Sequence, residues 1–353
     1  MSGWFAGAGI AVMGPFPPRP GGVSVQCGLL ADLLEEAGAR VTRLNTDVPA
    51  LRSSKMGQAL LPVAQVANLV RHLRRTRASW QILHVHAASW WGFMPVPVGL
   101  LGRGQAKRLV VSYHGGEAAA FLDRWGALAC AVLRRYDALL ALTPTQSRLF
   151  QARGLTVQVT PNIVSVEHLP FRLRGPLQPR LLWLRQLEPR YRPADALDVL
   201  ARVQAQHPSA TLTVAGGGSL ASALAAETAR RGLKGVTFTG QLSPEAVLRA
   251  YDDADIFLNT SAIDNLPLTL IEASAAGLPV VSTAAGAIMD LICDGENGLL
   301  GPVGDTATLS GQVLRLLADQ ELGRRLSHAA HANAGRYAWQ QVAPLLAQAY
   351  GLN

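Results

Sequence analysis

Short apolar runs alternate with longer stretches of helical periodicity along nearly the whole chain, the pattern of strand and crossover helix in a parallel sheet. In the first half the strand candidates are Gly9 to Met13, Arg40 to Leu44, Gln81 to Val85, Leu109 to Tyr113, Ala138 to Leu142 and Thr156 to Val159. Helical stretches such as Val23 to Ala37 and Gln58 to Thr76 lie between them. A second series begins at Leu181 to Leu184 and continues through Thr211 to Ala215, Val236 to Thr239, Ile256 to Asn259, Pro279 to Ser282 and Gly298 to Leu300. Between the two series, the stretch 161–179 holds Pro161, Pro170, Pro176 and Pro179 with little periodicity, as a linker does. The expectation is an α/β chain of two Rossmann-like, doubly wound parallel-sheet domains, 1–170 and 176–336, facing each other across a cleft.

The 353 residues suit two domains, and with 49% apolar and 16% charged residues the chain buries a core and is not globally disordered. Cys27, Cys130 and Cys293 are odd in number and scattered, which excludes a disulfide framework or zinc ribbon and points to a reduced compartment. With lysine only at 55, 107 and 234, Schiff-base chemistry has few candidates, and no cofactor and no metal are expected. The net charge of +8 is uneven: residues 1–175 carry 19 Lys+Arg against 8 Asp+Glu, and the remainder 13 against 16. The first half therefore presents a positive field to an anionic partner, and a solvated arginine-rich surface is the plainer reading of the same count. No basic region precedes the uncharged start, so a signal peptide is not expected. The uncharged stretch 87–102 is too short, and too interrupted by Pro95 and Pro97, to span a bilayer.

In open parallel sheets ligands lie beyond the carboxyl ends of the strands. After the first strand, GPFPPRPGGV brings Gly21 and Gly22 to a helix start where backbone N–H groups can approach an anion, although GxGxxG is absent. VAGGGSL, with Gly216 and Gly217, leads from a strand to a helix with Ser219 as the expected N-cap, a phosphate-cradle pattern that a plain turn shares. Arg185, Arg190 and Arg192 cluster in LRQLEPRYRP and could fork onto a diphosphate. In SAIDNLPLTLIEASAAGLPVVST, Asp264 follows a strand and Glu272 lies in the next helix, expected to start near Pro267, so that two acceptor-only groups can grip different hydroxyls of one ligand. Asp253 and Asp255 form a DxD, but Asp255 enters a strand and reads as structural.

These residues resemble glycosyltransferase family 4, of the GT-B fold, over nearly the whole chain. Asp264 and Glu272 match its E-x7-E pair, and Gly21 with Gly22 and Gly216 to Gly218 match its two glycine turns. His114 in SYHGGE matches the histidine after a first-domain strand, and Arg185 with Arg190 match its Arg and Lys. Pro161-Asn162 matches its end-of-domain Pro-Asn, and RYAW leads toward a last helix, within 337–353, expected to return to the first domain. Here an Asp replaces the first Glu, Asn265-Leu266-Pro267 replaces Gly-Phe-Gly or Gly-Phe-Pro, and Arg190 replaces Lys, with Arg192 competing for its role. The resemblance implies that Asp264 reaches sugar hydroxyls and His114 lies against the donor sugar. It implies that Glu272 holds the nucleotide ribose, that Arg185 and Arg190 neutralise the diphosphate, and that Asn265, Leu266 and Leu268 line the donor site.

The function so implied is retaining, metal-independent transfer of a hexose or derivative from a nucleoside diphosphate sugar to a hydroxyl acceptor. The acceptor class expected is a glycan or lipid-linked intermediate of cell-surface polysaccharide synthesis. A sugar-nucleotide epimerase and a non-catalytic sugar-nucleotide-binding protein remain open; no nucleic acid is expected, for want of an interleaved aromatic-basic motif. The expected location is cytoplasmic, and two readings stay open for the first domain: it docks on an anionic inner membrane face through Trp90, Trp91, Phe93 and Arg71, Arg74, Arg75 and Arg77, or Trp90 and Trp91 fill the core after a strand and the arginines solvate a helix end.

Overall fold

The computed structural model describes residues 3–19, 21–47, 64–73, 80–169 and 171–352. The chain forms two compact units, Met1–Ile163 with Trp339–Asn353, and Val164–Ala338.

Among its described residues, the first unit is built on six parallel strands in the order β2-β1-β3-β4-β5-β6. They are β1 (Gly9–Gly14), β2 (Arg40–Asn45), β3 (Trp80–Ala87), β4 (Ala106–Tyr113), β5 (Ala138–Ala141) and β6 (Gln158–Val159). The connections carry α1 (Gly22–Glu36), α2 (64–73), α3 (Pro95–Gly99), α4 (Ala118–Leu133) and α5 (Pro144–Gln151). The middle strands β1, β3 and β4 are buried along most of their length because both sheet faces are covered. Ile82 and Val110 pack with Leu30, Leu34 and Leu346 on one side. Their neighbours Leu83, Leu109 and Val111 pack with Leu69, Phe121 and Leu133 on the other. The ends of Gln58 to Thr76, at 58–63 and 74–76, lie outside the described residues.

The second unit has β7 (Arg180–Leu184), β8 (Thr211–Ala215), β9 (Val236–Gly240), β10 (Ile256–Asn259), β11 (Val280–Thr283) and β12 (Leu299–Gly301). Its order is β12-β11-β10-β7-β8-β9, and the strand pairs are parallel. The helices are α6 (Pro193–Gln204), α7 (Ala221–Arg230), α8 (Pro244–Asp253), α9 (Leu268–Ala275), α10 (Thr306–Ala318) and α11 (Gln320–Ala334). The chain runs outward from β7 to β9, then resumes at β10 on the other side of β7. That reversal is the switch point at which doubly wound sheets bind ligands.

Part of the stretch expected as a linker is packed instead. Arg174 is buried, and its guanidinium bonds the carbonyls of Tyr251, Ala254 and Ala276. Burying an arginine is tolerable only with such partners, which the sequence pattern does not reveal. The last helix, α12 (Trp339–Tyr350), lies in the first unit, where Trp339 meets Phe5 with ring centroids 5.6 Å apart and Tyr350 bonds His84 at 2.8 Å. Each unit is thus a Rossmann-like doubly wound α/β fold.

Candidate active site

At the switch point of the second unit, the loops after β7 and β10 are tied together. Trp183 Nε1 donates to Thr260 Oγ1 at 2.9 Å, and that hydroxyl lies 2.9 Å from the carbonyls of both Tyr191 and Arg192. Ala262 N–H donates to the Arg190 carbonyl at 2.9 Å. Side chains on the two loops are consequently held in one frame.

Within that frame Arg185 Nη2 donates to Asp264 Oδ2, with the two side chains only 17% and 10% exposed. Burial works against the guanidinium charge, but Asp264 and the other partners hold its pKa above the ordinary value. Arg185 Nε is buried without a partner, an unusual state for a group whose desolvation is costly. Arg185 and Arg190 both lie over the Tyr191 ring, at 4.5 and 4.9 Å from its centroid. Arg192 is committed elsewhere: in a left-handed conformation at the start of α6, it makes a two-point contact with Asp195 at 2.6 and 3.0 Å. Among the described residues Arg190 has no ion pair, which separates the two competing arginines.

The backbone is shaped to bring these groups close. Gly286 has φ +57, and a Cβ there would overlap the Asp264 carbonyl, which accepts from Ala287 N–H at 3.2 Å. A Cβ at Gly216 would overlap the Arg185 carbonyl, so this glycine serves close packing of the turn after β8 against the loop after β7. The expected cap at that turn is displaced. The N-cap of α7 is Leu220, not Ser219, and Ser219 N–H and Oγ both bond the Glu188 carboxylate, at 2.9 and 2.7 Å. An acidic side chain already satisfies that donor pair, with the favourable sign for a helix N-terminus. Accepting from Ser219 also holds the Glu188 carboxyl below the usual range.

Beyond Asp264, Asn265 and Leu266 are buried in the loop and Leu268 opens α9, whose N-cap is Pro267. Glu272 stands one turn further along and accepts from Tyr251 Oη at 2.7 Å. Burial pushes its carboxyl pKa up, against the pull of that bond and of the Arg185 charge. The second unit therefore brings Arg185, Arg190, Asp264, Asn265, Leu266, Leu268 and Glu272 onto the segments that follow the carboxyl ends of β7 and β10. Tyr251, Tyr191, Thr260 and Glu188 join them unanticipated, because nothing local in the sequence marks a tyrosine or threonine that acts across loops. Asp255 accepts from Arg180 at 2.5 Å with its own side chain buried.

In the first unit, Gly21 is the N-cap of α1 with φ +127, and Gly22 is the first helical residue, one before the expected start. His114 follows β4, and its N–H donates to the Ala87 carbonyl at 2.7 Å. Its ring turns inward: Nε2 lies 2.9 Å from His86 Nδ1, Asn162 supplies a second hydrogen bond, and the two imidazoles stack at 5.0 Å. His84 completes the row, between Tyr350 Oη and Ser112 Oγ. Burial depresses all three, His84 to about 3, His114 to about 4 and His86 well below the usual value, so the row is neutral. It borders a cavity of about 20 Å³, room for one water, into whose lining His86 Nε2 brings no partner of its own.

Phe93, expected at a docking surface, is buried, since it packs on Phe121 at 5.1 Å. Trp91 is 69% exposed, and Trp125 and Leu128 project outward from α4. Arg71 is exposed, whereas Arg74, Arg75 and Arg77 lie outside the described residues. Among the described residues no helix is long and apolar enough to cross a membrane, and no cluster of three or more His, Cys, Asp or Glu could hold a metal.

Residues 173–333, nearly all of the second unit, match the family model for glycosyl transferases group 1. Over 292 residues the chain is 28% identical to a glycogen synthase of Mycobacterium tuberculosis, covering 78% of this chain and 70% of that one. It is 32% identical over 148 residues to the sulfoquinovosyl transferase SQD2 of Arabidopsis thaliana, 41% of this chain and 28% of that one. In fold it is similar to the sucrose-phosphate synthase of Thermosynechococcus elongatus, with TM-score 0.79, 18% identity, and 97% and 98% of the two chains covered. It is also similar to Anabaena HepE, solved in complex with UDP and glucose, with TM-score 0.74, 18% identity, and 97% and 99% covered. The fold is of the GT-B kind, and the protein is an enzyme, a glycosyltransferase of the hexosyl-transferring type.

Proposed function

We propose that the chain is a retaining glycosyltransferase of the E-x7-E type. It would move a hexose or derivative from a nucleoside diphosphate sugar to a hydroxyl of a glycan or lipid-linked acceptor in cell-surface polysaccharide synthesis. The observation that carries this reading is the switch-point cluster: two arginines on one aromatic ring, one of them paired with Asp264, and Glu272 on the helix that follows. Arg185 and Arg190 take the diphosphate, stabilising the charge that develops as the bond between the anomeric carbon and phosphate oxygen breaks. Asp264 accepts from sugar hydroxyls and Glu272 from the ribose. The acceptor oxygen bonds the anomeric carbon on the face the diphosphate leaves, and its proton passes to the departing phosphate, so no side-chain nucleophile is required.

The reaction would take place in the cytoplasm, at an anionic membrane face when the acceptor is lipid-linked. Trp91, Trp125 and Leu128 on the first unit supply exposed apolar area for such docking, and the positive balance of the first half supplies the charge. Incubation with UDP-, GDP- and dTDP-sugars and a hydroxyl acceptor tests the reading. Release of nucleoside diphosphate that depends on acceptor supports it, whereas epimerised sugar nucleotide with no transfer product would replace it.

A further inference from the structure

Glu272 is a long, flexible hydrogen-bond acceptor on α9, and a lone glutamate in that position samples several rotamers. In this chain one oxygen, Oε2, is held at 2.7 Å by the hydroxyl of Tyr251, which comes from α8, 21 residues away in sequence. The phenol has a single proton. Its other near acceptor, the Thr269 carbonyl, is at 3.4 Å, so the proton belongs to the carboxylate bond.

Tyr251 is in turn fixed on every side. It is among the largest fully buried side chains, with 1% exposure, and its ring packs 6.1 Å from that of Phe257 on β10. Its backbone carbonyl accepts from Arg174 Nη2 at 2.5 Å. The same guanidinium donates at 2.7 Å to the carbonyls of Ala254 and Ala276, the C-cap residues of α8 and α9. One buried cation thus joins the negative ends of the two helices that supply Tyr251 and Glu272, and sets the spacing across which their bond is made.

We propose that Tyr251 is a positioning residue: its hydroxyl holds one oxygen of Glu272 and so presents the other oxygen to a hydroxyl of the bound nucleotide's sugar. This rests on the reading of Glu272 as a nucleotide-binding group. The charged and titratable groups facing the pair are Arg185, on the loop after β7, and Asp264, which is paired with it. Burial raises the Glu272 carboxyl, and the Tyr251 bond is the first force pulling it back down, with the Arg185 charge second.

Tyr251→Phe removes one oxygen and keeps the ring. Binding of UDP and GDP is measured by calorimetry between pH 5.5 and 8 for the wild type, Tyr251→Phe and Glu272→Gln, beside carbon-13 NMR titration of the Glu272 carboxyl in the ligand-free protein. In Tyr251→Phe the carboxyl titrates at higher pH, and the tighter-binding nucleotide loses about tenfold in affinity at pH 7.5, with a larger loss toward pH 5.5. An unmoved titration, or wild-type affinity and pH profile in Tyr251→Phe while Glu272→Gln binds weakly, overturns the positioning role alone. Wild-type binding by Glu272→Gln removes the nucleotide reading of Glu272, and the positioning role with it.

Discussion

Asp264 and Arg185 form the contact on which the proposed site turns, and the contact makes a prediction that the chemistry of a sugar-binding carboxylate alone does not. The Asp264 carboxylate accepts from Arg185 Nη2, with both side chains largely withdrawn from water. A diphosphate arriving at Arg185 competes with that carboxylate. Asp264→Asn keeps the shape but removes the competing charge, and charged hydrogen bonds of this kind contribute about 1.5 to 3 kcal/mol. Only part of that returns to the nucleotide, since the amide oxygen still accepts from the guanidinium. Free nucleoside diphosphate should therefore bind the variant about two- to tenfold more tightly, a gain of up to roughly 1.4 kcal/mol. Turnover moves the other way: losing a charge-bearing contact to the sugar lowers kcat by about 10²-fold or more. The folded state loses the ion pair, so the melting temperature falls by about 2–4 °C for each kcal/mol lost. Calorimetry with UDP and GDP, initial rates at saturating donor and a thermal melt on one preparation give all three values. A parallel loss of nucleotide affinity and turnover would refute the reasoning, because Asp264 would then be supporting the diphosphate site instead of competing for it.

Glu272→Ala should weaken nucleotide binding by about 1 to 3 kcal/mol, read by calorimetry. Because burial raises the Glu272 carboxyl in the folded protein, the folded state holds that proton more tightly than the unfolded chain; this group favours folding at acid pH and its burial cost appears as pH rises, whereas nucleotide binding strengthens as it ionises. The histidine row has the opposite dependence for stability. With folded pKa values of about 3 for His84 and about 4 for His114, against an ordinary 6.5, the unfolded chain binds more protons, and stability of the first unit should fall as pH drops from about 6.5 toward 4, by up to about 1.4 kcal/mol per pH unit for each histidine; urea melts across that range check it. On liposomes, sedimentation should require anionic lipid and weaken with salt, and Trp91→Ser should reduce it; full recovery in the supernatant at low salt would leave a soluble acceptor.

Much of this arrangement is visible in the order of residues. Strand positions such as Thr211 to Ala215 and Ile256 to Asn259 coincide with β8 and β10, because short runs rich in β-branched and apolar residues between helical stretches mark the strands of a parallel sheet. The acidic pair was equally plain, since seven intervening residues join a strand-end loop to the following helix. What stayed hidden depends on side-chain direction and on partners remote in sequence. Ser219 looked like a cap because its position was right, but Glu188, 31 residues earlier, takes its amide and moves the cap to Leu220. His114 stood at a strand end, yet the inward turn of its ring depends on His86 and Asn162. Phe93 and Trp91, two residues apart in an uncharged run, separate into core and surface only once Phe121 is placed beside them. Arg174 lies in a proline-rich stretch that reads as linker, and its role appears only with the two helix ends it joins.

The central claim is transfer of a hexosyl group from a nucleoside diphosphate sugar with retention, through a site whose arginines do the work of a cation. Its most direct test is proton NMR of the fresh product, formed in excess EDTA from the nucleotide sugar found active. Undiminished transfer and an anomeric proton with the donor's configuration are expected. An inverted product, or strict dependence on Mg²⁺ or Mn²⁺, would contradict it.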